Sequence, residues 1–387
     1  MSSRSAALAL ALLCAAPAVA QSLGPLSQVP ADAFEAELYK TRFEQEVKFR
    51  AAAIQVAWGA EHLCDHTTEI EPFVLWSVHS MRKPLAGRQE ALFRRVTGMD
   101  EKWRLVWADE SVPDEARIGD VVVAINGMPL PGGSTRVELG ALFRGNAMMA
   151  GDDQGLWDVI AKAREQAVAG RPMTLHFEGG RTVEVSTQTG CAGRVTASAF
   201  DADPDKFVRQ GNERAKIPAV AMIEARSRDE FRWLAAFGTY FQASAKAVDR
   251  QQTAQDMSSA FTVGKVLLAL VPGAGMVLSA AEARAERAIT VDGLRGSADL
   301  FANEVVVALG GEPDAGLRFL RRLRQLGQAT DVFAVTDFRL GSMEEHVRRL
   351  RTLQAAAAAA AASADTQAPP ASAAAASPDP GGPARRP

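Results

Sequence analysis

Few residues in this chain could do chemistry, and their positions narrow what that chemistry could be. The five histidines are His62, His66, His79, His176 and His346, so none lies between residues 177 and 345. A hydrolytic zinc helix needs two histidines at i and i+4, which put two nitrogens on one face. It also needs a carboxylate beside the first and a third ligand from another segment. His62 and His66 have that spacing, with Cys64 and Asp65 between them, but no third ligand is evident nearby. A surface histidine pair at a helix end is the plainer reading. No G-x-S-x-G elbow or Walker loop occurs. The remaining candidate is "DEFRWLAAFGTYFQASA", residues 229–245, where the carboxylate pair Asp229-Glu230 leads an apolar turn to Gly238. Phe231, Leu234, Gly238, Phe241 and Ala245 recur at helical spacing and give this segment a core-facing stripe. Nothing here calls for a cofactor.

The cysteines speak of compartment. Arg4 precedes an apolar run from Ala6 to Ala16, and Ala18-Val19-Ala20 before Gln21 has the A-x-A form of a cleavage site. Residues 1–20 therefore read as a signal peptide, too short for a comfortable membrane span, and imply a periplasmic or secreted protein. Removing Cys14 with it leaves Cys64 and Cys191. In an oxidising compartment an isolated pair is most simply a disulfide, with two free buried thiols as the alternative. The formal charge of −3 gives no basic excess to displace counterions from phosphate, so nucleic acid is not an expected partner.

Around these residues the chain divides by pattern. Residues 31–66 read as an N-terminal helix, with Phe34, Leu38, Phe43, Val47, Ile54 and Leu63 at three-to-four spacing. Residues 70–190 change to short β-type runs and glycine turns, and residues 195–353 return to helix. Residues 354–387 form a low-complexity tail. Its alanine run, Ala355 to Ala362, could extend the preceding helix, and its proline-rich remainder is expected to be disordered. The apolar stretch Val266 to Ala281 is broken by Pro272-Gly273 and reads as a buried helical hairpin. "LRFLRRLRQLGQ", residues 317–328, is an amphipathic basic helix, either solvated or in contact with acidic lipid or a partner. The class expected is α+β.

"RIGDVVVAINGMPL", residues 117–130, is the sharpest local signal. Val121, Val122, Val123 and Ile125 read as a buried strand, and Asn126-Gly127 as a turn needing positive φ. The segment resembles the core of PDZ domains of the bacterial, HtrA-like kind. The likeness extends to a helix at 155–170 with Trp157, Ile160 and Ala161 on one face, and to a hairpin at 173–185 around Gly179-Gly180. Cys64 and Cys191 then bracket this domain, whose ends a disulfide could join. The resemblance puts Phe73, Val74, Leu75 and Trp76 at the carboxylate-binding loop, as the peptide-binding residues. They contain no glycine to turn backbone N–H groups toward an anion. That argues against carboxylate capture and leaves strand addition beside the 155–170 helix.

Beyond this domain the chain resembles the HtpX and CAAX-prenyl-protease-like zinc metallopeptidases, specifically exported bacterial members with a PDZ domain before the peptidase. Three stretches carry the likeness: Asp229-Glu230-Phe231 through Phe237-Gly238; residues 298–323 with Ala298-Asp299, Gly310-Gly311 and Pro313; and residues 341–353. The resemblance implies a mostly helical zincin-like domain. Carried over by position, the first histidine is Thr239, the catalytic glutamate Tyr240, the second histidine Ala243 and the third ligand Arg295. Leu340 takes the place of the histidine of the terminal helix. An alanine has no lone pair to give, and a cation at 295 would repel a dication by roughly 8 kcal/mol at an effective dielectric of 20 and about 4 Å. No metal is expected at these positions. The reading is an exported, non-catalytic relative that binds or scaffolds envelope proteins or peptides, with the apolar groove of the old site as one candidate surface. The alternatives are a metalloendopeptidase with rearranged ligation, and a structural protein whose PDZ-like groove is plugged by its own chain.

Overall fold

The structure is a computed structural model. It describes residues 31–81, 85, 87–132, 154–168, 171–200, 208–210, 214–243, 293–328 and 333–367. The expected signal peptide, the hairpin at 266–281 and the chain beyond 367 lie outside the described residues.

The first helix, α1 (Ala31–Gly59), has no interior proline or glycine and runs without a break. Its buried stripe passes through Tyr39, Glu46, Phe49, Ala52 and Val56. That is rotated from the stripe expected: Leu38, Phe43, Val47 and Ile54 are half-buried flanks and Phe34 is exposed. The cause is that an alanine and a glutamate do core duty here, and neither registers as a large apolar residue.

The β-rich part comes next in the chain. It comprises β1 (Thr67–Ile70), β2 (Phe73–Trp76), α2 (Arg88–Thr97), β3 (Arg104–Ala108), β4 (Val122–Ile125), β5 (Met128–Pro129), α3 (Gln154–Val168), β6 (Met173–Phe177), β7 (Thr182–Val185) and β8 (Gln188–Cys191). Four strands form an antiparallel sheet in the order β5-β4-β6-β7, and β2 pairs with β3. The β4–β5 turn is Asn126-Gly127, both at positive φ, as a two-residue hairpin requires. Asn126 Oδ1 also accepts from the Thr174 amide at 2.6 Å, which locks the turn to β6. In β4 Val122 and Ile125 both join the core although three positions apart, the register shifting between Val122 and Ala124, whereas Val123, expected to be buried, is 43% exposed. On α3 the buried face is Leu156, Ile160, Ala163 and Ala167. Trp157 is half-buried and Ala161 exposed, so the stripe lies about one residue from the one expected.

The chain then forms β9 (Arg194–Thr196), β10 (Val208–Gln210) and β11 (Arg214–Lys216), in the order β10-β11-β9. Next come α4 (Ala219–Glu224), α5 (Arg228–Ala243), α6 (Gly293–Ala308), α7 (Ala315–Gln325) and α8 (Asp337–Gln367). α8 takes in the alanine run, which extends the preceding helix; its residues 355–359 are exposed.

Two apolar cores result. One belongs to the β-rich part and is built from Trp103, Leu105, Ile125, Leu156, Leu175 and Val185 among others. The other unites α1 with the C-terminal helices through Phe49, Val56, Trp233, Phe237, Val305 and Phe319. The β-rich part is thus an insert between the first helix and the helices it packs on. The fold is α+β. Among the described residues no helix is long and apolar enough to cross a membrane.

Candidate functional site

The insert meets the helical body along β2. Phe-Val-Leu-Trp has no polar alternation, the pattern of a strand buried on both faces. Phe73 and Leu75 enter the insert's core, while Trp76 enters the helical core. The residues expected at a carboxylate-binding loop are therefore a strand with four buried side chains, paired to β3. On the edge paired to β3 the backbone amides are engaged and not free to cluster on an anion, in line with the absence of glycine from residues 73–76. Among the described residues β2 has a strand on one edge only.

A groove runs between β2 and α3. It is lined by Phe73, Leu75, Leu156 and Ile160, with α1 at one side through Arg50 and Ile54, and with residues 193–196 across it. The cavity left inside is about 70 Å³, room for a few water molecules. Its charged rim is internally matched. Arg164 donates to Glu71 through Nε at 2.7 Å and through a second nitrogen at 3.0 Å, and Glu71 is buried. The Trp157 ring carries Arg164 at 6.0 Å and Arg194 at 3.7 Å from its centroid. Behind the groove, buried Glu46 of α1 accepts from Arg50 at 2.8 Å, from Trp76 Nε1 at 2.9 Å and from the Ala199 amide at 3.0 Å. One carboxylate thus holds together α1, β2 and the chain after β9.

The insert's two ends are joined as the cysteine spacing suggested. β1 pairs antiparallel with β8, Thr67 facing Cys191. The Cys64–Cys191 disulfide closes this ladder, with Cα atoms 5.7 Å apart. His62 and His66 flank it as exposed residues. Among the described residues no three His, Cys, Asp or Glu side chains converge as a metal site would need.

The segment 229–245 is a helix whose chemistry is structural. Ser227 Oγ accepts from the Glu230 amide at 3.2 Å, and Glu230 Oε2 accepts from the Arg226 amide at 2.6 Å, in the manner of a capping box. Glu230 also takes both terminal nitrogens of Arg322 on α7, at 3.0 and 2.6 Å. Asp229 accepts from the Glu312 amide at 2.9 Å. The leading carboxylate pair therefore clips α5 to the turn before α7 and to α7 itself. Beyond it, every residue from Phe231 to Gln242 is buried. The one-sided stripe expected is too narrow: Trp233 and Phe237 fill the other side, with Phe319 and Phe333. Ala245 lies outside the described residues.

Thr239 Oγ1 donates to the Ala235 carbonyl at 3.0 Å, and Tyr240 packs on Phe301 of α6 at 5.6 Å. Both side chains are buried, so the apolar groove expected at the old site is not an open surface at these positions; aromatic packing occupies it. Ala243 ends α5 and Arg295 lies in the first turn of α6. Asp299 is bound at 2.7 Å by two nitrogens of Arg339, a fully buried pair that joins α6 to α8. Sequence reasoning missed this partner because the two residues are 40 apart and no local pattern connects them. On the basic helix, Arg318, Arg321, Arg322 and Arg324 meet Asp314, Glu344, Glu230 and Asp337. The charges of that face are thus paired within the fold.

Fold and site together define an α+β protein in which a disulfide-closed, β-rich insert docks on a helical body over a narrow groove. Comparison of the chain with protein-family models, with curated proteins and with solved structures finds no match.

Proposed function

We propose that the chain is an exported, non-catalytic relative of the PDZ-bearing, HtpX-like metallopeptidases. It holds envelope proteins or peptides at the groove between β2 and α3. The observation that carries this reading is that, among the described residues, β2 is paired on one edge only and lines a groove with α3 through Phe73, Leu75, Leu156 and Ile160. An extended peptide can add to such an edge through its backbone and seat alternate side chains against the helix. A non-catalytic role is supported by residues 177 to 345 lacking histidine and by Thr239 and Tyr240 serving as packing residues. Export is supported by the signal-like residues 1–20 and by the Cys64–Cys191 disulfide.

The test is photo-crosslinking in the envelope. A benzoylphenylalanine replacing Ile54, half-buried at the groove, should give adducts with exported proteins. The same group replacing exposed Glu184 of β7 should not. Equal adducts from both positions, or none from Ile54, count against the reading. Stoichiometric zinc in purified protein, with chelator-sensitive cleavage of casein, would overturn the non-catalytic assignment.

A further inference from the structure

We propose that residues 193–196 form an intrachain strap that closes the groove between β2 and α3, with Arg194 seated on Trp157 as its latch. The proposal rests on the peptide-holding reading above and adds how access to that site is controlled.

Four observations place the strap. First, Gly193, Arg194, Val195 and Thr196 line the groove together with Phe73–Leu75 and the Leu156–Arg164 face of α3. Among the described residues β9 is the terminal strand of its own small sheet, and β2 has a strand on one side only. Two strand edges therefore border one groove, and the chain's own segment lies where an added peptide would lie. Second, the strap is fastened to the insert by a stack: the Arg194 guanidinium is 3.7 Å from the Trp157 ring centroid. Third, its other face is bedded on α5. A Cβ on Gly238 would stand 2.5 Å from Val195 Cγ1, so only a glycine there lets the strap approach this closely. Gly193, at φ +106°, makes the turn into the strap, and a Cβ there would stand 2.6 Å from Gln242 Cβ. Fourth, closure carries a cost at that contact. Gln242 is 4% exposed, and among the described residues neither its amide nitrogen nor its amide oxygen has a hydrogen-bond partner. A buried amide without partners destabilises the state that buries it. The closed arrangement is held by the stack on Trp157 and by the pairing of β9 with β11, and it is weakened at Gln242, a balance that lets an incoming peptide displace it.

The space that remains when the strap is in place is about 70 Å³. Sites that hold a ligand of several residues are on the order of several hundred Å³. Binding of an extended peptide therefore requires the strap to move. Because Val195 and Gly193 rest on α5, displacement also loosens the contact between the insert and that helix.

Hydrogen exchange of the full chain, read at residues 193–196 and 73–76, tests the strap without any ligand. Arg194→Ala should speed exchange there about tenfold, the size of one partly desolvated cation–π contact, and leave β6 and β7 unchanged. Arg194→Lys, which keeps the charge without the planar face, should fall between. Gln242→Leu removes only unbonded polar atoms and should slow exchange about fivefold. Each variant is also tested for capture of a random octapeptide library with free and amidated C-termini. Capture should rise in Arg194→Ala and fall in Gln242→Leu. Unchanged exchange in both variants, or changes of the same sign in both, overturns the strap. Opposite changes in exchange with no peptide captured by any form keep the strap and overturn the peptide-holding reading.

Discussion

Removing the disulfide gives the most quantitative test of the fold. The bond spans 127 residues of sequence, so its main effect should be on the unfolded chain. In the chain-entropy treatment a loop of that size loses about 16–17 cal/mol/K, or ~5 kcal/mol at 25 °C. The folded protein should feel the loss little, because the β1–β8 ladder already holds the same two ends, Thr67 against Cys191 and Ile70 against Gln188. Replacement by alanine at both positions avoids placing a hydroxyl at buried Cys191. Urea unfolding of Cys64→Ala/Cys191→Ala, followed by circular dichroism and tryptophan fluorescence, should show a loss of about 3–5 kcal/mol, below the full entropic figure because pairing at the neck persists in compact unfolded chains. The m-value should rise, since the uncrosslinked chain exposes more surface. Kinetically the loss should appear in the folding rate and leave the unfolding rate nearly unchanged. A loss under about 1 kcal/mol, or one confined to the unfolding rate, would refute the entropic account. Mass mapping that found free thiols at both positions would refute the bond itself.

Single contacts give further expected outcomes. Glu46→Ala strands Trp76 Nε1 and the Ala199 amide in the core, takes one partner from Arg50, and should cost about 3–5 kcal/mol by urea titration, with Glu46→Gln costing less. Gly316→Ala should destabilise α7 despite alanine's better helix propensity, because its Cβ would stand 2.1 Å from Trp233 Nε1; a raised melting temperature would count against that packing. Burial holds the His346 imidazole below its ordinary range, with Glu304 pulling it up and Arg349 pushing it down. The unfolded chain then takes up this proton first, so stability should fall as pH drops below about 6.5, until the folded group also protonates. His346→Leu should flatten the change in melting temperature between about pH 7.5 and 5.5.

Element types, the Asn126-Gly127 turn, the Gly179-Gly180 hairpin and the disulfide were legible in the sequence, because each is set by local chemistry: period, positive φ, or the scarcity of cysteines. The absence of histidine between residues 177 and 345 could be read there too, as it is a matter of composition. Tertiary structure alone decided which faces are inside. α1 and α3 are rotated from their expected stripes, and α5 is buried all round, because alanines, glycines and paired charges fill core positions that a hydropathy pattern does not score. The pairs Glu46–Trp76, Glu230–Arg322 and Asp299–Arg339 join positions 30 to 92 apart, and residues 193–196 line one groove with β2. Contacts at that separation depend on how the insert docks on the helices, and no window of the sequence contains them.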